Sequence, residues 1–198
     1  MADIPQASPD TRPSLLICAW EPEETAWDPV EDLSGVPWSP PGARTEPLDA
    51  DAPEPLAETL SARLADPRCR GLLLVGRTRK GDDFRLQLRA ENRTLDGVRR
   101  LDVAGPGVVR ATAPAAEVVR ALREAGLPAH ATSEAEEDAG SYLLYRVLSG
   151  LPDGTDAPAV ALLRAPVDAP DPAVQRAVKA AAQAVARHLS PLPRPRAV

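Results

Sequence analysis

Cysteine and histidine are the side chains that most often carry nucleophilic chemistry, and the sequence contains two of each. A thiol becomes a nucleophile when a neighbouring base takes its proton and a third group fixes the geometry. Cys18 lies inside the apolar run 14–20, where a free cysteine behaves as a small hydrophobic residue. Cys69 stands between Arg68 and Arg70, whose charges favour a lower thiol pKa, but no histidine is near it in the sequence.

The two histidines are distant from one another in the sequence and from both cysteines. His130 falls in a short predicted strand, and His188 is predicted near the apolar face at the end of the last helix. A histidine at a helix C-terminus is favoured by the helix dipole whether or not it does chemistry. Neither has acidic or thiol partners at the spacing of a zinc site, so no metal and no cofactor is predicted. The sequence therefore predicts no intact set of residues for nucleophilic hydrolysis.

Short apolar runs alternate with amphipathic segments along the chain. Strands are predicted at 14–20, 71–76, 84–91, 127–132 and 157–163, and helices are predicted to begin at 53, 114, 141 and 171. This alternation predicts an α/β fold in three αβα layers around a mixed but mostly parallel central sheet. Residues 1–13 are predicted to be a flexible N-terminus, 14–190 one domain with a long connection at 21–52, and 191–198 a proline-rich tail.

The composition excludes several classes of function. The net charge of −6 argues against a nucleic-acid partner, because phosphate binding needs a basic surface. No apolar run is long enough to cross a membrane, and the first residues are neither basic nor apolar, so a cytoplasmic protein without a membrane partner is predicted. Arginine far outnumbers lysine, and alanine, proline and valine are abundant, which is typical of a GC-rich bacterium.

Several short motifs follow the predicted elements in a definite order. They are Trp20 with Pro22, Gly76, Ala90 with Asn92, Gly105 with Pro106, ALREAGLPA at 121–129 and DAGSY at 138–142. In this order the chain resembles the pyroglutamyl peptidase I (pyrrolidone-carboxylate peptidase) family over residues 14–190. The resemblance implies that family's phosphorylase/hydrolase-like αβα fold and leaves a homo-oligomer open.

The chain departs from the family pattern at the positions that would carry the chemistry. The family uses a cysteine–histidine pair oriented by a carboxylate, together with a motif glutamate. By the resemblance, the glutamate position is Gln87 and the histidine position is Arg164. The cysteine position is either Leu144 or deleted between Tyr142 and Leu143. The resemblance thus implies a divergent member that is not a working cysteine peptidase.

Five side chains are predicted to contact a ligand in the cleft that the resemblance implies: Trp20, Gln87, Asn92, Tyr142 and Arg164. The family places aromatic residues at the position of Trp20 to wall the pyroglutamate ring. A buried arginine at 164 would attract a carboxylate or a phosphate through its paired donors. The alternatives are core packing for the tyrosine and internal partners for Gln87 and Arg164. The acidic run at 134–138 is interpreted as a solvated loop or as a cover over the cleft.

Three functions follow from these residues. The first is a catalytically degenerate protein that binds a small molecule or a peptide end in the ancestral cleft, or acts as a regulatory or scaffolding partner. The alternative is a repurposed enzyme of specialised metabolism, a cyclase, lyase or hydrolase using Arg164, Tyr142 or the acidic loop. The third is residual peptidase activity through an unrecognised cysteine.

Overall fold

A computed structural model of the chain describes residues 10–20, 38–152, 154 and 156–189. The strands are β1 (Ser14–Ala19), β2 (Arg44–Leu48), β3 (Cys69–Thr78), β4 (Phe84–Gln87), β5 (Arg89–Glu91), β6 (Val108–Arg110), β7 (Ala129–Thr132) and β8 (Ala159–Pro166). The helices are α1 (Pro53–Leu64), α2 (Ala115–Glu124), α3 (Ala139–Ser149) and α4 (Asp171–Ala186). The predicted tail at 191–198, most of the predicted flexible N-terminus and Pro22 of the first motif lie outside the described residues.

Six strands form one sheet in the order β2-β1-β3-β8-β4-β7. Strand β4 runs antiparallel to β8, whereas the other neighbouring pairs of this sheet are parallel. Strands β5 and β6 form a separate antiparallel ribbon. The predicted α/β fold with a mixed, mostly parallel sheet is confirmed.

Helices cover both faces of the sheet, because the strands are apolar on both. In β1, Leu15 and Ile17 pack into a core with α2 and α4, whereas Leu16 and Cys18 pack into a second core with α1 and α3. Full burial of each such leucine or isoleucine contributes roughly 1.5–3 kcal/mol. The same alternation along β8 takes Val160 and Leu162 to the α3 side, and it carries the next residue on that face, Arg164, to the same side.

Two predictions of strand boundaries are wrong. Strand β2 lies inside the segment predicted as one long connection, and its sequence is polar and contains Pro47, which only an edge strand tolerates. The predicted strand 84–91 is divided at Leu88, whose N–H donates to Thr132 and whose carbonyl accepts from Ala111. The chain therefore leaves the sheet after β4 and enters the ribbon. No helix in the described part of the chain is long and apolar enough to span a membrane.

Candidate functional site

A group of buried and partly buried polar side chains lies where β3 and β8 end and α3 begins. We call it the polar cluster; its members are Thr78, Arg85, Gln87, Glu136, Asp138, Ser141 and Arg164. Ligand clefts of open α/β sheets form outside the carboxyl ends of the strands, and this group occupies such a place. Its position makes it the candidate functional site.

Arg164 is fully buried, at 0% exposure, and every nitrogen of its guanidinium has a partner. Nη1 and Nη2 donate to the two oxygens of Asp138 at 2.5 and 2.8 Å, which is the bidentate geometry that arginine forms with carboxylates. Nε donates to Oε1 of Gln87 at 2.7 Å, and Nη2 also donates to Oγ of Ser141 at 3.0 Å. The donors predicted to attract an external carboxylate are therefore occupied by a carboxylate of the chain itself.

Asp138 joins this ion pair to the start of α3. It is the N-cap of the helix, and its Oδ1 accepts from the backbone N–H of Ser141 at 2.9 Å. Burial raises the pKa of the Asp138 carboxyl, but the hydrogen bonds and charge of Arg164 outweigh it and hold that pKa below its ordinary value. The carboxylate is consequently ionised at neutral pH.

Ser141 is the hydroxyl of the polar cluster that comes nearest to a nucleophile, but its oxygen is used as an acceptor. It accepts from Nε2 of Gln87 at 3.0 Å, from Arg164 and from the backbone N–H of Glu136 at 3.2 Å. Gln87 itself is fully buried, and its Nε2 also donates to the carbonyl of Arg89 at 2.8 Å. The hydroxyl in turn donates to Oε1 of Gln87 at 3.5 Å, and an amide oxygen does not take up its proton, so this contact does not activate Ser141 for attack.

A second buried arginine, Arg85, extends the cluster. It is 4% exposed, and it pairs with Glu134 at 3.1 Å and with Glu136 at 3.2 Å. Glu136 also lies 3.4 Å from Nε of Arg164 and accepts from the hydroxyl of Thr78. The interpretation of 134–138 as a solvated loop is wrong for Glu136 and Asp138, because alternate acidic residues of this segment neutralise the buried arginines.

The Trp20 side chain packs between the sheet and the start of α3. Its side chain is 4% exposed and lies against two glycines. A Cβ at Gly76 would lie 2.0 Å from its Cζ2, and a Cβ at Gly140 would lie 2.4 Å from the same atom. The guanidinium carbon of Arg164 is 5.7 Å from the ring centroid, within range of a cation–π contact.

A cavity of about 250 Å³ opens beside the polar cluster. It is lined by Glu91, Arg93, Thr94, Gly97, Ala135, Glu136, Glu137, Asp138, Ser141 and Tyr142. Of the five predicted ligand contacts, Tyr142 alone is in this lining, while Gln87, Trp20 and Arg164 lie behind it. Leu144, one of the two alternatives for the cysteine position, is 0% exposed in the core.

Asn92 supports the loop between the ribbon strands. Its Nδ2 donates to the carbonyls of Asp102 at 2.6 Å and Pro106 at 3.2 Å, and its Oδ1 accepts from the N–H of Asp102 at 2.9 Å. It also lines a second, more open cavity of about 390 Å³ on the ribbon. The hydroxyl of Tyr145 donates to the same Pro106 carbonyl at 2.8 Å. Both side chains thus hold the ribbon loop in place.

Both cysteines are buried. Burial raises the pKa of the Cys18 thiol to about 12. Burial also raises the pKa of the Cys69 thiol, whereas the charges of Arg68 and Arg70 were expected to lower it. Cys69 is the first residue of β3 and Thr78 the last, which separates this thiol from the polar cluster by about 30 Å of extended strand.

The histidines are also outside the polar cluster. Nδ1 of His130 lies 3.4 Å from Asp83, and 45% of its side chain is exposed. The prediction that His188 lies near an apolar face is wrong: α4 ends at Ala186, and His188 is exposed. Within the described ranges, no three side chains of the metal-ligating types come together as an ion site.

Sequence reasoning missed Asp138, Ser141 and Arg85 as members of the site. Asp138 and Ser141 have the spacing of a helix N-cap and its partner, which was a local signal for the start of α3. The alternation of acidic residues at 134, 136 and 138 was a second signal, since in an extended segment alternate side chains share one face.

Known structures share this fold. Pyroglutamyl peptidase I from Bacillus amyloliquefaciens aligns with a TM-score of 0.70 and 17% identity, covering 89% of this chain and 98% of that one. A mutant pyrrolidone carboxyl peptidase from Pyrococcus furiosus aligns at 0.68 and 18%, covering 89% and 100%. The Thermus thermophilus enzyme aligns at 0.62 and 21%, covering 86% and 98%. No protein-family model matches the sequence, and no curated protein is significantly similar to it. The predicted resemblance is therefore confirmed at the level of the fold.

Proposed function

We propose that this chain is a divergent member of the pyroglutamyl peptidase I family that has lost the thiol peptidase chemistry and binds a small molecule or a peptide end. The observation that carries the proposal is the polar cluster itself. Two of the positions that the resemblance assigns to catalysis, Gln87 and Arg164, are bonded to each other at 2.7 Å and buried. They serve an internal ion pair with Asp138 instead of facing a reacting atom.

The side chains at the proposed catalytic positions lack the chemistry of a cysteine peptidase. A peptidase of this type needs a thiolate, a base that accepts its proton and a group that orients the base. Leu144 offers no nucleophile, and the guanidinium of Arg164 has only N–H donors and no acceptor atom for the proton of a thiol. The amide of Gln87 donates and accepts hydrogen bonds but does not exchange a proton with a substrate. None of these three residues can therefore carry out the proton transfer that a cysteine peptidase needs.

Binding needs a cavity of suitable size but no reacting groups, and the cavity beside the polar cluster meets this requirement. Its volume of about 250 Å³ lies just below the roughly 300–1,000 Å³ of drug-sized ligand pockets, so it suits a ligand no larger than a small molecule or the terminal residue of a peptide. In this proposal Tyr142 contacts the ligand directly. Arg164 and Gln87 hold Asp138 and Ser141 in the cavity wall, Trp20 fixes the start of α3 from behind, and Asn92 fixes the adjoining loop.

The loss of peptidase chemistry is tested with a fluorogenic pyroglutamyl 7-amido-4-methylcoumarin substrate. We expect release no faster than in buffer, for the wild type and for the Cys18→Ser and Cys69→Ser variants alike. Turnover that disappears in either cysteine variant would show that a thiol peptidase survives and would reject the proposal.

The binding part is tested separately by a fragment screen with nuclear magnetic resonance detection of backbone amides. We expect at least one small ligand to shift the amides of Gly97 and Ala135, which line the cavity, without moving that of Gly126 in the remote turn after α2. A diverse set of neutral, cationic and anionic fragments that shifts neither cavity amide would contradict a binding role.

A further inference from the structure

The ribbon of β5 and β6 and the loop between these strands present apolar side chains to solvent. Among the described residues, three of the four exposed large hydrophobic side chains lie here: Val98 at 78%, Val103 at 85% and Val108 at 44%. Val98 and Val108 line the same open cavity of about 390 Å³. Single exposed valines are ordinary on a protein surface, whereas a group of them in one segment is typical of an interaction site.

The loop that carries these valines is held in place by hydrogen bonds. Asn92 and Tyr145, both buried, donate to the carbonyl of Pro106 just before β6. Thr94 closes a turn within the loop, since its N–H and its hydroxyl donate to the carbonyl of Arg99 at 2.9 and 3.2 Å. A surface that is already ordered in this way loses little conformational entropy when a partner binds to it.

The outer edge of β6 has free backbone groups. The N–H of Asn92 donates to the carbonyl of Gly107 at 3.0 Å, so Gly107 faces β5. Because alternate residues of an antiparallel ladder face alternate ways, the N–H and C=O groups of Val108 and Arg110 point away from β5. No third strand joins the ribbon within the described ranges, and these groups have no partner there. An edge of this kind can accept an extended segment of another chain.

Arginines lie at both ends of this edge. At the start of β6, Nη2 of Arg100 donates to the carbonyl of Gly105 at 3.2 Å and would lie 4.0 Å from a Cβ at Gly107. Arg110 is the last residue of β6 and, two positions from Val108, lies on the same face of the ribbon. Both arginines are exposed, and neither forms an ion pair with a described residue. Along β6 a valine therefore lies between two unpaired positive charges.

The carboxylates of the ribbon do not pair with these two arginines. Glu91 pairs with Arg93 at 2.9 Å. Asp96 and Asp102 each accept from a backbone N–H of the loop, at 3.1 and 2.9 Å, and neither is in an ion pair within the part of the chain that the structure describes. The segment 89–110 holds five arginines and three carboxylates, although the chain as a whole has a net charge of −6. The ribbon is thus a basic surface on an acidic protein.

We propose that the outer edge of β6 binds an extended acidic segment of another protein, in which an apolar residue has a carboxylate two positions away on each side. The segment adds to β6 as a third strand, its apolar residue packs on Val108, and its carboxylates pair with Arg100 and Arg110. A second copy of the chain is disfavoured at this edge, because it would bring arginine against arginine. The inference goes beyond the proposed function, since none of these three residues lines the cavity beside the polar cluster.

The probe is an acetylated threonine heptapeptide amide with valine in the centre and glutamate two positions to either side, so that it fits both strand directions. It is titrated into the full chain while the backbone amides are followed by nuclear magnetic resonance. We expect saturable shifts of the Val108 and Arg110 amides, with that of Gly126 unmoved. A counterpart with glutamine in place of glutamate should bind about fivefold more weakly, because two partly exposed ion pairs are lost.

Two further counterparts separate charge from main-chain pairing. The peptide with lysine in place of glutamate should not bind, because it brings like charges to Arg100 and Arg110. The glutamate peptide N-methylated at its three central residues should not bind either, because it cannot donate hydrogen bonds to the edge of β6.

Arg110→Gln distinguishes a partner of the ligand from a merely structural residue. It should weaken the glutamate peptide about two- to threefold and leave the affinity of the glutamine peptide unchanged. Val108→Thr keeps a branched strand residue and should weaken both peptides. Arg176→Gln is the matched control, since it removes an exposed arginine from α4 on the other side of the sheet, and it should bind like the wild type.

Equal binding of the glutamate, glutamine and lysine peptides would overturn the inference. Val108 and Arg110 amides that do not respond to the glutamate peptide would overturn it as well. Shifts of the same amides with rising protein concentration and no peptide would assign the edge to a second copy of the chain instead. These outcomes leave the proposed cavity function untouched, because that function is read from the amides of Gly97 and Ala135.

Discussion

Replacing Asp138 tests whether the polar cluster is held together by a buried ion pair. The Arg164 guanidinium is 0% exposed, and Asp138 is its bidentate carboxylate partner at 2.5 and 2.8 Å. Removing one member of a buried ion pair leaves the other charge uncompensated and costs about 3–5 kcal/mol of unfolding free energy. Since a domain is stable by only about 5–15 kcal/mol, this loss is a large share of the total.

The choice of substitution separates the charge of Asp138 from its role as helix cap. Asp138→Ser keeps a side-chain oxygen that can accept from the N–H of Ser141, whereas Asp138→Ala removes both the charge and the cap. We expect Asp138→Ser to lower the unfolding free energy by about 3 kcal/mol, because Glu136 remains 3.4 Å from the guanidinium and retains some compensation. Asp138→Ala should lower it by about 1 kcal/mol more.

The measurement is urea unfolding at pH 7 followed by circular dichroism, with a double-mutant cycle to Arg164→Met. Removing both charges should cost less than the sum of the single changes, with a coupling of about 1–3 kcal/mol. Additive single changes, or an Asp138→Ser variant within about 0.5 kcal/mol of the wild type, would refute the view that this ion pair organises the site.

Three further outcomes follow from the structure. The Asp138 pKa is lowered from 3.8 in the folded state, so the stabilisation linked to this shift is complete above that ordinary value and is lost as the pH falls through the lowered one. The difference in unfolding free energy between the wild type and Asp138→Ser should therefore narrow in acid, and a difference independent of pH from 7 to 2 would contradict this origin. Gly76→Ala places a methyl group against the indole of Trp20, so it should lower the unfolding free energy by about 1–3 kcal/mol and shift the tryptophan emission to the red. Gly107→Ala is the control, because its Cβ would meet only the end of an arginine side chain at 4.0 Å, and it should change neither quantity. Equal effects of the two substitutions would contradict the close packing of Trp20 against Gly76. Because burial raises the pKa of Cys18 to about 12, a disulfide reagent should not label it at pH 8 until urea unfolds the chain, and labelling of the folded protein at this residue would show that the thiol is accessible.

The fold was largely predictable because its signals are local. Continuous apolar runs mark strands buried on both faces, as in β3 and β8, and the stripe of apolar residues from Val174 to Val185 marks α4. Strand β2 was not predicted, because an edge strand with a proline and charged residues has the composition of a loop. Strand β6, of three residues, is too short to show any periodicity.

The sequence alone determined which residues stand at the positions that the resemblance points to: Gln87, Arg164 and either Leu144 or a deletion. That the peptidase chemistry is lost with them stays a prediction. Only the tertiary structure decided what these residues do instead. Arg164 meets Gln87 and Asp138, which are 77 and 26 positions away in the chain, and it does so because β4 pairs antiparallel with β8 while α3 begins at the same edge. Side-chain partners of this kind depend on strand register and helix placement, which are set by the packing of the whole core and leave no local pattern in the sequence.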